Sequence, residues 1–96
     1  MAKGYWVACY RSVSDAPALA RYATLAGPAI VAGGGRFLAR GSAAKAYEAG
    51  IAQRIVIIEF ASVEAAVKTY ESPAYRAALA VLEGAAERDL RIVEGV

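Results

Sequence analysis

Arg54-Ile55-Val56-Ile57-Ile58-Glu59-Phe60 is the stretch on which the fold turns. It is short, mostly β-branched and tipped with an aromatic ring, so it reads as a strand. Side chains alternate between the faces of a strand. Ile55, Ile57 and Glu59 therefore share one face, and Val56, Ile58 and Phe60 share the other. Both faces are mainly apolar, and a strand of that kind sits inside a sheet and is covered on both sides.

The same pattern stands near the start of the chain. Tyr5 to Ser12 reads as a strand with Tyr5, Val7 and Cys9 on one face and Trp6, Ala8 and Tyr10 on the other. Ser14-Asp15-Ala16-Pro17 then gives a helix start, with a capping side chain followed by an early proline. Leu19, Tyr22, Ala23, Ala26 and Ile30 continue at helical spacing. Gly27-Pro28 predicts a kink or a broken final turn, and Gly33-Gly34-Gly35 ends the helix. Arg36 to Arg40 reads as a second strand, with charged ends that suit a sheet edge.

Residues 41–53 carry no strong period and read as a flexible hairpin connection, with a short strand near 46–48. After the central strand, Ser62 caps a short helix whose expected buried stripe is Val63, Ala66, Val67 and Tyr70. Ser72-Pro73 starts another helix, running through Tyr75, Ala78, Leu79 and Leu82 to about residues 83–86. Leu90 to Glu94 is the last strand.

The order is strand, helix, strand, strand, helix, strand. That is the α+β, ferredoxin-like βαββαβ pattern with a four-stranded antiparallel sheet. Its first and third strands are central, and those are the two that are apolar on both faces. Its helices cover one sheet face only. Four strands ~4.8 Å apart and ~20 Å long leave a second face of roughly 400 Å². An apolar patch of that size is near the limit for a soluble monomer. The expectation is a homodimer through the sheet faces, the simplest closed arrangement.

Composition narrows the function classes. Ninety-six residues make one domain, and 58% of them are hydrophobic, many being alanine. Eleven basic and nine acidic residues give a net charge of +2, scattered along the chain. That argues against nucleic-acid binding, which needs a basic patch. There is no histidine, hence neither the commonest general base nor the commonest metal ligand. Cys9 is the single cysteine and is expected to be a buried, inert thiol. No ligand spacing for a metal is visible, and no cofactor is called for. No apolar run approaches the ~20 residues of a membrane span, and Met1 leads directly into a strand rather than a signal peptide. The expected location is cytoplasmic.

Taken together, Gly4-Tyr5-Trp6, Gly34-Gly35-Arg36-Phe37-Leu38, Val56 to Phe60, Ser72-Pro73-Ala74-Tyr75 and Val93-Glu94-Gly95 resemble the domain of unknown function 1330 family over nearly the whole chain. The resemblance implies a dimeric α/β barrel, in which ferredoxin-like protomers pair through their sheets. It implies no established activity. Some positions depart from the family pattern. Gly33 stands where relatives often carry histidine or an aromatic residue, Ala61 replaces a frequent proline, and Thr69 replaces a frequent tryptophan. Leu82 lies about where many relatives place an arginine.

The candidate site follows from chemistry on these elements. Glu59 is the sharpest candidate for catalysis, because a carboxylate in a central strand must be paired, hydrated or protonated. Buried, it would move toward the range of a general base; the plainer reading is an ion pair with Arg36. Arg36 could orient a substrate carboxylate bidentately. Tyr22 and Tyr75 project from helix faces and read as core or as substrate contacts, with hydroxyls that need partners if buried. Trp6 and Tyr10 read as core or interface packing. Gly33-Gly34-Gly35 is no phosphate loop, since it precedes a strand and no Walker lysine follows.

The expected function is binding or transformation of a small organic molecule in a pocket between sheet and helices, with Glu59, Arg36 and Tyr75 as polar anchors. The alternative is a non-catalytic ligand-binding or assembly module in which Glu59 and Arg36 form a purely structural pair.

Overall fold

The computed structural model describes residues 2–96. Its elements are β1 (Gly4–Val13), α1 (Ala16–Ala32), β2 (Arg36–Ser42), β3 (Arg54–Phe60), α2 (Val63–Tyr70), α3 (Pro73–Leu82) and β4 (Ala86–Glu94). The strands form one sheet in the order β2-β3-β1-β4, and every neighbouring pair is antiparallel. The two doubly apolar strands are therefore the central ones, and the fold is α+β, ferredoxin-like. The Cα extents are 36 × 32 × 16 Å, the thickness of one sheet and one layer of helices.

The helices bury the face that carries Trp6, Ala8 and Tyr10 of β1 and Val56, Ile58 and Phe60 of β3. Trp6 is the centre of that core. Its indole stacks on Phe60 at 5.9 Å and meets the edge of Tyr75 at 4.9 Å. Tyr5, Val7, Cys9, Ile55, Ile57 and Glu59 occupy the other face, where each is half-buried in the single chain. Cys9 is thus a free, half-exposed thiol in the protomer rather than a buried one.

Local signals explain the element ends. The Asp15 carboxylate accepts from the Ala18 amide at 3.0 Å and caps α1. The Ser62 hydroxyl accepts from Ala65 and the Ser72 hydroxyl from Tyr75, capping α2 and α3. Gly34, at φ 91°, takes the left-handed turn that releases α1 into β2.

Four local expectations need correction. α1 runs unbroken through Pro28. Both Pro28 and Thr24, whose carbonyl loses its usual partner, lie on the exposed side, where water can replace the missing bond. The stretch near 46–48 holds no strand; it leads into a turn at Glu48, which has a positive φ of 53°. The buried line of α2 is Ala66 and Thr69, while Val67 is 37% exposed. Thr69 fits there because its hydroxyl donates to the Ala65 carbonyl at 2.8 Å and to that of Gly33 at 3.4 Å. Gly33 is exposed, but the direction of a Cβ is blocked by that contact: one added there would lie 2.0 Å from the Thr69 hydroxyl. Finally, α3 stops at Leu82 and β4 begins at Ala86, four residues before the expected start. Gly84, at φ 75°, makes the tight turn between them.

Candidate functional site

The expected site residues fall on opposite faces of the sheet, so no single pocket joins them. Glu59 and Arg36 stand opposite each other in the β2–β3 register, on the face without helices. An Arg36 guanidinium nitrogen lies 3.3 Å from Glu59 Oε1, and the Tyr5 hydroxyl donates to Glu59 Oε2 at 3.0 Å. The carboxylate thus has a partner on each oxygen. The hydrogen bond to Glu59 is the main cause that raises the Tyr5 pKa above its ordinary value. Farther along the same face, Arg91 binds Asp89 through two hydrogen bonds of 3.0 and 3.1 Å, and Arg11 approaches the same carboxylate at 3.7 Å. The Arg91 bonds hold Asp89 below the ordinary carboxylate range.

Tyr22 and Tyr75 meet on the helix side. Their hydroxyls are 2.6 Å apart, brought together by the packing of α1 against α3. Between them and the sheet lies Arg88, a residue that sequence reasoning missed. One terminal nitrogen of Arg88 donates to the Tyr22 oxygen and the other to the Tyr75 oxygen, each at 3.2 Å. The guanidinium also lies over the Tyr22 ring, 5.3 Å from its centroid, and 5.6 Å from that of Tyr10. Burial raises the pKa of both phenols, against the pull of the Arg88 charge, so both stay protonated at neutral pH. Burial works against the Arg88 charge as well, but the phenol oxygens outweigh it and the pKa is raised.

Beside this cluster is a cavity of about 40 Å³ between the sheet and α1. Its apolar wall includes Trp6, Ile58, Leu19 and Ala26, and its polar side chains are Tyr10, Tyr22, Arg88, Arg54 and Arg40. Tyr75 stands behind the lining and positions Tyr22 and Arg88. The volume admits a few waters or the head of a small ligand. Arg40 stacks on Phe37 at 4.6 Å, and both line the cavity. A larger ligand would require that pair to move. The lining supplies hydrogen-bond donors and positive charge, and none of it is a carboxylate or a histidine. Among the described residues, no group of three or more His, Cys, Asp or Glu side chains is placed to hold a metal ion. No helix among them is long and apolar enough to cross a membrane.

Arg88 could have been found by extending the alternation of the last strand backwards. Ala86, Arg88, Leu90 and Ile92 all fall on the helix face, so an arginine interrupts an apolar row.

The architecture is shared by proteins of solved structure. A protein of unknown function from Rhodopseudomonas palustris is 20% identical, with a TM-score of 0.78 over 99% of this chain and 83% of its own. A dimeric ferredoxin-like protein of unknown function from Thermobifida fusca is 16% identical, with a TM-score of 0.66 over 97% of this chain and 91% of its own. A cofactor-independent oxygenase from Streptomyces nogalater, SnoaB, is 11% identical, with a TM-score of 0.62 over 97% of this chain and 92% of its own. At these identities the likeness is one of fold. No curated protein matches the sequence. The model of the domain of unknown function (DUF1330) matches residues 3–96, and the chain belongs to that family.

Proposed function

We propose that this protein is a homodimer that binds a small organic molecule in the cavity between its sheet and α1. The observation that carries the reading is the Arg88–Tyr22–Tyr75 cluster. It sets a buried polar group, with hydrogen-bonding capacity to spare, beside an otherwise apolar hollow. That combination of apolar walls and a few convergent polar groups is typical of small-molecule sites. Tyr22 contacts the ligand in this reading, and Tyr75 holds Tyr22 in place.

The dimer forms through the face opposite the helices. Tyr5, Val7, Ile55 and Ile57 give that face an apolar centre, and the Thermobifida fusca neighbour is itself described as dimeric. Glu59 and Arg36 then lie at the interface as a paired group, in line with the structural reading of that pair, and the cavity works without them.

Amide chemical shifts test the site. On addition of toluene or benzamide, the shifted amides are expected to cluster at Ala8, Ala26 and Ile58. An Ala23→Phe exchange on the exposed side of α1, at the cavity rim, should abolish them. Shifts that scatter over the surface, or none with any small aromatic compound, would overturn the proposal. Gel filtration at micromolar concentration checks the dimer, which should elute at twice the chain mass.

A further inference from the structure

The helix-side cavity has an unusual electrostatic account. Arg88, Arg54 and Arg40 arrive from three different strands and all line it. The ion pairs among the described residues are Arg11–Asp89, Arg36–Glu59 and Arg91–Asp89, so none of the three lining arginines has a carboxylate partner. Each guanidinium carries five N–H donors. Arg88 commits two of its nitrogens to phenol oxygens, and those partners are neutral. The Arg54 Nε is buried and has no hydrogen-bond partner. A buried donor left in that state is rare in folded proteins and asks for an acceptor. The phenol pair points the same way. Two hydroxyls that bond each other use one proton between them, and no other acceptor engages the second. Either hydroxyl can donate in that bond; when Tyr75 does, the remaining proton is on Tyr22, the member of the pair that lines the cavity.

We infer that the ligand of this cavity is an organic carboxylate, seated with its charged head on the Arg88–Tyr22 pair and its apolar body against Trp6 and Ile58. This rests on the cavity being the ligand site. A carboxylate fits better than a phosphate. It is planar and accepts from a guanidinium fork and a hydroxyl together. Its head is small enough for the space, and the walls call for an attached apolar group. Phosphate sites favour free backbone N–H groups at a helix N-terminus, whereas the one lining residue near such an end, Leu19 of α1, already gives its amide to the Asp15 carbonyl. The carboxylate-orienting arginine is then Arg88, with Arg54 and Arg40 adding charge. Arg36, the arginine first expected in that role, faces the other side.

The test compares isosteres on the unaltered protein. Benzoate is titrated against benzamide, and acetate against acetamide, by calorimetry and amide shifts. Each carboxylate should bind at least about ten-fold more tightly than its amide, the scale of a charge-assisted hydrogen bond. Arg88→Met should remove that preference, with carboxylate affinity falling at least about ten-fold more than amide affinity. Arg54→Met should lower carboxylate affinity by a smaller factor. Equal binding of acid and amide in the cavity would overturn the carboxylate assignment and leave the small-molecule site standing. Tighter binding of inorganic phosphate than of benzoate would also overturn it. Binding of none of these compounds would count against the cavity itself.

Discussion

The two faces of this sheet treat arginine in opposite ways. On the face without helices, Arg36, Arg91 and Arg11 each sit beside a carboxylate supplied by the same face. On the helix face, Arg88, Arg54 and Arg40 surround a cavity and meet only neutral groups. In the proposed dimer the open face is covered by another copy, and matched charges suit it, since an unmatched one would be costly to bury. In the proposed ligand site the charges are left unmatched. The chain has the acidic residues to neutralise the cavity and places none there.

Four measurements can break or sharpen that contrast. The largest effect is expected at Trp6, on the helix side and 1% exposed. Trp6→Ala should cost about 3–5 kcal/mol in denaturant unfolding. Its neighbour Tyr5, on the other face, should lose only about 1 kcal/mol as Tyr5→Phe, the worth of the bond to Glu59. Similar losses at both would mean that the faces are not distinct. Next, Ile57→Asp places an unmatched charge in the centre of the open face. It should weaken the dimer by roughly 3 kcal/mol or more, about 100-fold in dissociation constant. Gel filtration and sedimentation would read it, with the secondary structure unchanged. A dimer that tolerates this charge uses another surface.

The third concerns pH. Tyr22 and Tyr75 have pKa values raised above the ordinary 10.0, chiefly by burial. A raised acid holds its proton longer in the folded chain than in the unfolded one. The stabilisation is complete below pH 10 and is lost as pH climbs past the unfolded value. Each phenol should then remove about 1.4 kcal/mol per pH unit. Alkaline unfolding should flatten in Tyr22→Phe/Tyr75→Phe. An unchanged slope would mean that the phenols ionise freely. The smallest effect belongs to Arg36→Ala. In the single chain its side chain is 74% exposed, so the ion pair with Glu59 should contribute less than about 1 kcal/mol to folding of the protomer.

Much of the architecture was legible from Arg54–Phe60 and Tyr5–Ser12, because residues apolar on both faces belong only in central strands. The caps at Asp15, Ser62 and Ser72 marked all three helix starts. The site was less legible, for a physical reason. Alternation says which residues share a face. When both faces are apolar it does not say which face the helices take. Glu59 could therefore be grouped with Ile55 and Ile57 and still be assigned to the wrong side, away from Tyr75. Arg88 escaped because the charged stretch Glu87-Arg88-Asp89 falls between the expected end of the last helix and the expected strand start at Leu90. Its place in β4 is fixed by pairing with β1, opposite Tyr10, which is a tertiary fact. The Gly33–Thr69 contact shows the same limit. Two departures from the family pattern, 36 positions apart, meet in space.

Trp6 is the only tryptophan in the chain. It lies between Phe60, Tyr75 and the cavity. The molecule therefore carries a built-in optical gauge. Excited at the red edge of protein absorption, the indole responds alone, without an attached dye or a second emitter to subtract. Filling the hollow displaces whatever water touches the ring, so occupancy can be followed as a change in colour and intensity of emission. A library of compounds could be sorted this way before any of them is known to be the natural one.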